Sequence, residues 1–189
     1  MEENIFEMPK KNVRKEILSW IRTIGTTIII SAIVLIFVAQ FVDINGRSME
    51  PTYCDGDRVL IYKLDKNYEQ GDIIVADEIL DDPIIKRVIA TEGQVVDFDA
   101  TTHEVTVDGN VVSGDIYGLE NNQTLIEDLT GLMLEFPQTV PEGHVFVLGD
   151  NRMHSSDSRY KQIGMIPKDK ILGKVVFNVF PFEKFGPVK

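Results

Sequence analysis

A single cysteine, Cys54, excludes an intramolecular disulfide and a cysteine-based zinc cluster. Histidine is nearly as scarce, with only His103, His144 and His154, and neither these nor the acidic residues fall at metal-ligand spacing, so no metal or other cofactor is expected. Basic residues are outnumbered 19 to 30, for a net charge of -11. That balance argues against a nucleic-acid partner, because phosphate binding needs clustered Lys and Arg. Beyond the N-terminal region no helical period of any length and no internal repeat is found. What remains, 43% hydrophobic and 26% charged residues in 189, suits one folded domain with a small appendage.

The strongest compositional break is Ile24 to Val42, IGTTIIISAIVLIFVAQFV, which carries no charge. Its length is about that of an apolar helix crossing a bilayer core, roughly 20 residues. The polar members Thr26, Thr27, Ser31 and Gln40 are uncharged, and a helix satisfies them internally or near its ends. A buried core helix and a cleavable secretory signal are the rivals. Signal h-regions run about 7–15 residues and end in a small-x-small site, which Val38-Ala39-Gln40-Phe41 does not offer. The run therefore reads as an uncleaved anchor at 24–42 in the cell membrane. Lys10, Lys11, Arg14, Lys15 and Arg22 precede it, whereas Asp43 follows with only Arg47 close behind. The excess of basic residues places 1–23 in the cytoplasm and 43–189 outside, with Ser48 near the lipid headgroups.

The exported part reads as mainly β. VLIYKL (59–64), DIIVADEI (72–79), IIKRVIA (84–90), HVFVLGD (144–150) and ILGKVVFNVF (171–180) are β-branched runs bounded by turn residues. EVTVDGNVV (104–112) sets Asp-Gly between two alternating segments, a two-residue hairpin signal. Residues 113–140, with Gly114, Gly118, Asn121, Asn122 and Gly131, read as a small irregular insertion.

RSMEPTYCDGDRV, Arg47 to Val59, holds two side chains with nucleophile chemistry, Ser48 and Cys54. A serine hydroxyl is inert near neutral pH without a base in hydrogen-bond reach. His103 beside the hairpin and His144 at the head of a strand read as solvated surface residues, and no G-x-S-x-G elbow is present. A lysine serves as base only when its pKa falls by about two units, roughly 3 kcal/mol, which burial among apolar groups supplies. Lys86 in Pro83-Ile84-Ile85-Lys86-Arg87-Val88-Ile89 has such a setting. Alternation sends Ile84, Lys86 and Val88 to one face and Ile85, Arg87 and Ile89 to the other. By itself Lys86 reads better as an edge-strand lysine with its tip in water. It becomes a candidate base only alongside Ser48.

Taken together these residues resemble the type I signal peptidases (leader peptidases), membrane-bound Ser/Lys proteases that remove signal peptides. Ser48-Met49-Glu50-Pro51-Thr52 follows the anchor and matches the family's S-M-x-P-T. Gly56-Asp57-Arg58-Val59 matches a G-D-x-V-type strand, and Ile85-Lys86-Arg87-Val88 the lysine motif. Gly149-Asp150-Asn151-Arg152-Met153-His154-Ser155-Ser156-Asp157-Ser158-Arg159 matches G-D-N-R-x-x-S-x-D-S-R. The resemblance covers most of 43–175 and implies a signal-peptidase-type β-sheet catalytic domain. It implies Ser48 as nucleophile, Lys86 as general base, Ser155 as the serine that orients the lysine, Asp157 and Arg159 as a supporting ion pair, and Asp150 and Arg152 as further scaffold. Cys54 is then incidental.

Three departures bear on the site. Gram-negative relatives carry an oxyanion-binding serine two positions before the nucleophile; here that position is Gly46, as in the short Gram-positive form. The oxyanion hole is then expected to rest mainly on the Ser48 N–H. Ala90-Thr91-Glu92-Gly93-Gln94 replaces the family's G-x-P-G-D, and His154 stands where asparagine is common. The resemblance implies acyl transfer on signal-peptide-bearing preproteins, with small side chains selected in an Ala-x-Ala pattern. Met49, Pro51, Val59 and Ile61 are candidate substrate-side residues, whereas Phe177, Phe180, Phe182 and Phe185 read as core or edge packing. The rivals are a self-cleaving repressor, a membrane-anchored binding module and an inactive paralogue. The missing DNA-binding region counts against the first and the intact Ser48/Lys86 pair against the last.

Overall fold

A computed structural model of the chain describes residues 13–99, 102, 104–112 and 132–188. Lys10, Lys11, His103 and residues 113–131 of the expected insertion lie outside the described residues. Contacts divide the chain between Phe37 and Val38 into two compact units.

The first unit carries helix α1, Val13–Val38, none of whose side chains is buried. At about 1.5 Å per residue it is long and apolar enough to cross a membrane. Its bounds differ from the apolar run. The helix starts well before Ile24, and it stops at Val38, where strand β1, Ala39–Asp43, begins. Hydropathy cannot separate these two states, because a short apolar run suits a helix and a strand alike. Pairing decides: β1 lies antiparallel on β2, Arg58–Tyr62, from Ala39 opposite Tyr62 to Asp43 opposite Arg58. Arg58 seals the end of that ladder with a 2.9 Å bond from its Nη2 to Asp43. The apolar run read as 24–42 is therefore helical only as far as Val38.

The second unit is almost entirely β. After β2 come β3 (Ile73–Ala76), β4 (Ile84–Thr91), β5 (Val95–Phe98), β6 (Val105–Val107), β7 (Asn110–Val111), β8 (Gln138–Thr139), β9 (His144–Leu148), β10 (Ile166–Pro167), β11 (Ile171–Phe180) and β12 (Gly186–Pro187). One antiparallel sheet runs β1-β2-β11-β3-β4-β9-β10, with β12 added to β11. A smaller sheet runs β7-β6-β5-β8. The β6–β7 turn is the expected Asp-Gly hairpin, with φ of 52° at Asp108 and 77° at Gly109, the left-handed pair that a type I′ turn requires.

Three apolar clusters hold these sheets. Ile44, Met49, Tyr53, Val59, Ile61, Ile73, Val75, Ile85 and Val175 form the one beneath the loop that carries Ser48. Full burial of an aliphatic side chain of this kind stabilises by about 1.5–3 kcal/mol, so the loop's own Ile44 and Met49 are effective anchors. A second cluster joins Ile74, Val88, Val145 and Val147, and a third packs the small sheet's Val96, Val105 and Val107 on Ile89, Phe146 and Leu148. Gly173 in β11 faces the backbone of Tyr62 so closely that a Cβ there would meet the Tyr62 carbonyl oxygen, which suits the bulged register of that strand.

Candidate active site

Ser48 lies in the connection between β1 and β2. This loop is closed at its base by Ile44 N–H to Asp57 O and Gly56 N–H to Ile44 O, both at 2.8 Å. Inside it, Glu50 N–H reaches Arg47 O at 3.2 Å and Tyr53 N–H reaches Met49 O at 2.9 Å. Met49 and Tyr53 point into the core and leave Ser48 on the opposite side, in a cleft of about 1010 Å³. Tyr53 adds a 2.6 Å bond from its hydroxyl to Asn178 of β11. The turn is thus held by inward-facing neighbours while its serine stays accessible.

Lys86 sits in the middle of β4, opposite Ile74 of β3, and is 4% exposed. Its Nζ lies 2.7 Å from Ser48 Oγ and donates to its neighbour's carbonyl, Ile85 O, at 2.9 Å. Burial brings the Lys86 pKa down from 10.5 to about 8. The charges of Asp157 and Asp150 pull in the opposite direction, and Arg159 adds to the lowering. A substantial fraction of the amine is then neutral just above neutral pH, as a base acting on a serine requires.

The loop after β9 closes the site from the other side. Asp157 Oδ1 accepts from Arg159 Nε at 2.7 Å, and Asp157 Oδ2 accepts from the Gly149 N–H at 3.0 Å. Arg159 also donates to Arg152 O and Ser155 O, so a buried guanidinium ties both ends of the loop together. Arg152 Nε donates to Gly149 O at 3.0 Å. Asp150 takes a bidentate clamp from Arg87, at 2.8 and 2.6 Å, and accepts the Thr52 hydroxyl at 2.5 Å. The Ser48 loop, β4 and the loop after β9 therefore meet at one carboxylate.

Several expected substrate-side residues stand elsewhere. Met49, Val59 and Ile61 are fully buried core residues, because the turn that presents Ser48 must send its neighbour Met49 inward. Pro51 is exposed and does not line the cleft. The apolar walls are instead Ile44, Val75, Ile79, Leu80, Ile84 and Ile85. Gly46 does line the cleft; its φ of +89° favours glycine, and its N–H is taken by Asp55 Oδ1 at 2.7 Å. The Ser48 N–H makes no hydrogen bond among the described residues, so it is open to an oxyanion.

Ser155 is buried next to Gly149 and the Ser48 carbonyl. Its Oγ has no hydrogen-bond partner among the described residues, so the bond to Lys86 that the resemblance implies is not formed. Phe180, Phe182 and Phe185 are exposed, and the Phe177–Phe185 and Phe180–Phe182 ring contacts make them edge packing rather than core. His144 Nδ1 lies against Glu142 O, and His154 lines the cleft without a hydrogen bond to Ser48 or Lys86 among the described residues. Cys54 is exposed outside the cleft. Sequence reasoning missed Thr52, Arg87 and Asn151 as parts of the scaffold, although all three stand inside the matched motifs.

Residues 17–180 match the family described as "Signal peptidase, peptidase S26". Signal peptidase IB of Staphylococcus aureus (strain COL) is 34% identical over 92% of this chain and 94% of its own length. Signal peptidase I of Bacillus licheniformis is 31% identical over 94% of this chain and 96% of its own. A solved signal peptidase I from Enterococcus faecalis V583 is 28% identical, with a TM-score of 0.45, over 57% of this chain and 96% of that one. With a match across most of its length and relatives of this similarity, the chain belongs to the peptidase S26 family of signal peptidases, serine-type hydrolases that cleave signal peptides.

Proposed function

We propose that this peptidase works through a Ser48/Lys86 dyad, is held in the cell membrane by α1, and cleaves preproteins after an Ala-x-Ala-like site. The observation that carries the reading is the 2.7 Å approach of a buried lysine, its pKa lowered to about 8, to the hydroxyl of a cleft serine. As the ammonium, Lys86 donates to Ser48 Oγ. As the neutral amine, it offers a lone pair to the Ser48 O–H.

In the acylation step Lys86 takes the Ser48 proton while Oγ bonds to the scissile carbonyl carbon. The carbonyl oxygen gains the electron pair and is met by the open Ser48 N–H. When the C–N bond breaks, the Lys86 ammonium passes its proton to the leaving amine. Water, deprotonated by the regenerated amine, then adds to the ester and frees Ser48. An extended peptide between residues 42–46 and 81–85 meets aliphatic walls, which supports selection of small side chains. The basic N-terminal part of α1, with Arg14, Lys15 and Arg22, supports a cytoplasmic N-terminus and an extracytoplasmic catalytic unit. Preproteins and the bilayer are then its partners.

The test is cleavage of a preprotein by the detergent-solubilised full chain. Ser48→Ala abolishes turnover and Cys54→Ala leaves it near normal. Retained cleavage by Ser48→Ala would overturn the reading.

A further inference from the structure

Asn151 makes two contacts with the nucleophile loop that no part of the proposed chemistry yet uses. Its side-chain Nδ2 donates to Arg47 O at 3.0 Å, and its backbone N–H donates to Ser48 O, also at 3.0 Å. Those two carbonyls belong to the peptide groups on either side of Ser48. The first group is the informative one, because its other end is the Ser48 N–H. A trans peptide is planar, so the direction of the Arg47 C=O sets the opposite direction of the Ser48 N–H. Arg47 O also accepts from Glu50 N–H at 3.2 Å, which closes the local turn. The Asn151 amide supplies the only side-chain hydrogen bond to that carbonyl among the described residues.

We infer that Asn151 is a positioning residue for the oxyanion site: it holds the Arg47–Ser48 peptide so that the Ser48 N–H faces the reacting carbonyl oxygen. This rests on Ser48 being the nucleophile. Two effects act together. The bond at the carbonyl end resists rotation of the peptide plane, and it polarises the group so that the N–H becomes a stronger donor. The geometry also needs Asn151 itself to be fixed, and it is. Asp150, one residue earlier, is clamped by Arg87 and Thr52, and His154 N–H donates to Asn151 O at 2.9 Å. Gly149 completes the approach, since a Cβ there would collide with the Ser48 carbonyl and Ser155.

The donor acts on charge that develops in the transition state, so its loss falls on kcat rather than KM. Asn151→Ala removes the side-chain donor. Asn151→Asp keeps the size and the backbone bond to Ser48 O but presents only acceptors to Arg47 O. Both are expected to lower kcat by about 10- to 100-fold, less than the roughly 10²–10³ lost with an oxyanion donor itself. The detergent-solubilised full chain is assayed for preprotein cleavage and for binding of two inhibitors of the same sequence. A peptide aldehyde forms a tetrahedral adduct on Ser48, and the corresponding peptide alcohol does not. Aldehyde affinity falls in proportion to kcat/KM, while alcohol affinity, KM and the apparent pKa of the rate profile stay at wild-type values. A kcat within twofold of wild type in Asn151→Asp overturns the inference, as does a parallel loss of alcohol binding. Activity remaining in Ser48→Ala, measured alongside, would instead overturn the Ser/Lys reading on which it rests.

Discussion

The two faces of β4 treat adjacent cations in opposite ways. On one face Lys86, flanked by Ile84 and Val88 and opposite Ile74, has no carboxylate within hydrogen-bond distance among the described residues; its hydrogen bonds there are to a hydroxyl and a carbonyl. On the other, Arg87 is as deeply buried but is clamped by both oxygens of Asp150 and donates to Gly71 O. A buried cation without a direct counter-ion is driven toward its neutral form, whereas one in a bidentate pair keeps its charge. One strand thus presents a buried amine of lowered pKa to the cleft and a structural pin to the scaffold. Neighbours in sequence are placed in separate chemistries by nothing more than the pleat.

Exchanging the chemistry of the first face has the largest effect. Lys86→Arg keeps a positive charge that cannot deprotonate at accessible pH, so preprotein cleavage falls by at least about 10²–10⁴. Wild-type-like turnover by this variant would refute the dyad and restore a membrane-anchored binding module as the better reading. In the unsubstituted protein the rate rises with pH around about 8, the lowered Lys86 value. A profile governed by a group near 6.5 and lost with one histidine would indicate a His-based enzyme.

On the second face, Arg87→Met leaves Asp150 buried without its partner. Chemical denaturation is expected to show a loss of about 3–5 kcal/mol. Arg87→Lys is milder but not silent, because an ammonium cannot reproduce the bidentate fork. Opposite alternation alone suggests that Arg87 is a harmless position. Its pairing with Asp150 says otherwise.

Lys86→Met sharpens the contrast, since it stabilises the fold while abolishing activity. Between about pH 8 and 10.5 the unfolded chain binds the lysine proton and the native chain does not, so native stability contributed by this group rises with pH. Below about 8 the whole cost of burying the amine is present. At pH 7 the Met variant is therefore more stable by up to about 3 kcal/mol, and its advantage fades toward pH 10.5. An advantage that is absent at pH 7, or that grows with pH, would contradict the desolvation account.

The smallest effect belongs to His154, which lines the cleft without a hydrogen bond to either dyad residue among the described residues. His154→Ala is expected to change turnover by no more than about twofold in a preprotein assay, as a surface substitution should.

Local features were readable from the chain itself. The apolar run announced a helix, the Asp-Gly pair announced the β6–β7 hairpin, and β-branched alternation marked β4, β9 and β11 close to their observed limits. Ser48 and Lys86 were legible because serine and lysine chemistry in motif order narrows the choice to few side chains. What stayed hidden depends on contacts between distant segments. The ladder between Ala39–Asp43 and Arg58–Tyr62 ended the helix at Val38, which hydropathy does not resolve. Met49 turned into the core and Pro51 out of the cleft, because a tight turn can present only one of its side chains to substrate. Asp150 paired with Arg87, and Asn151 reached back to Arg47, because two loops and β4 converge there. Sequence carries periodicity and residue chemistry, so it determined which elements form and which groups can react. Only tertiary packing brings a buried amine to 2.7 Å from a hydroxyl and strips it of water, and that desolvation lowers the pKa of an otherwise ordinary lysine.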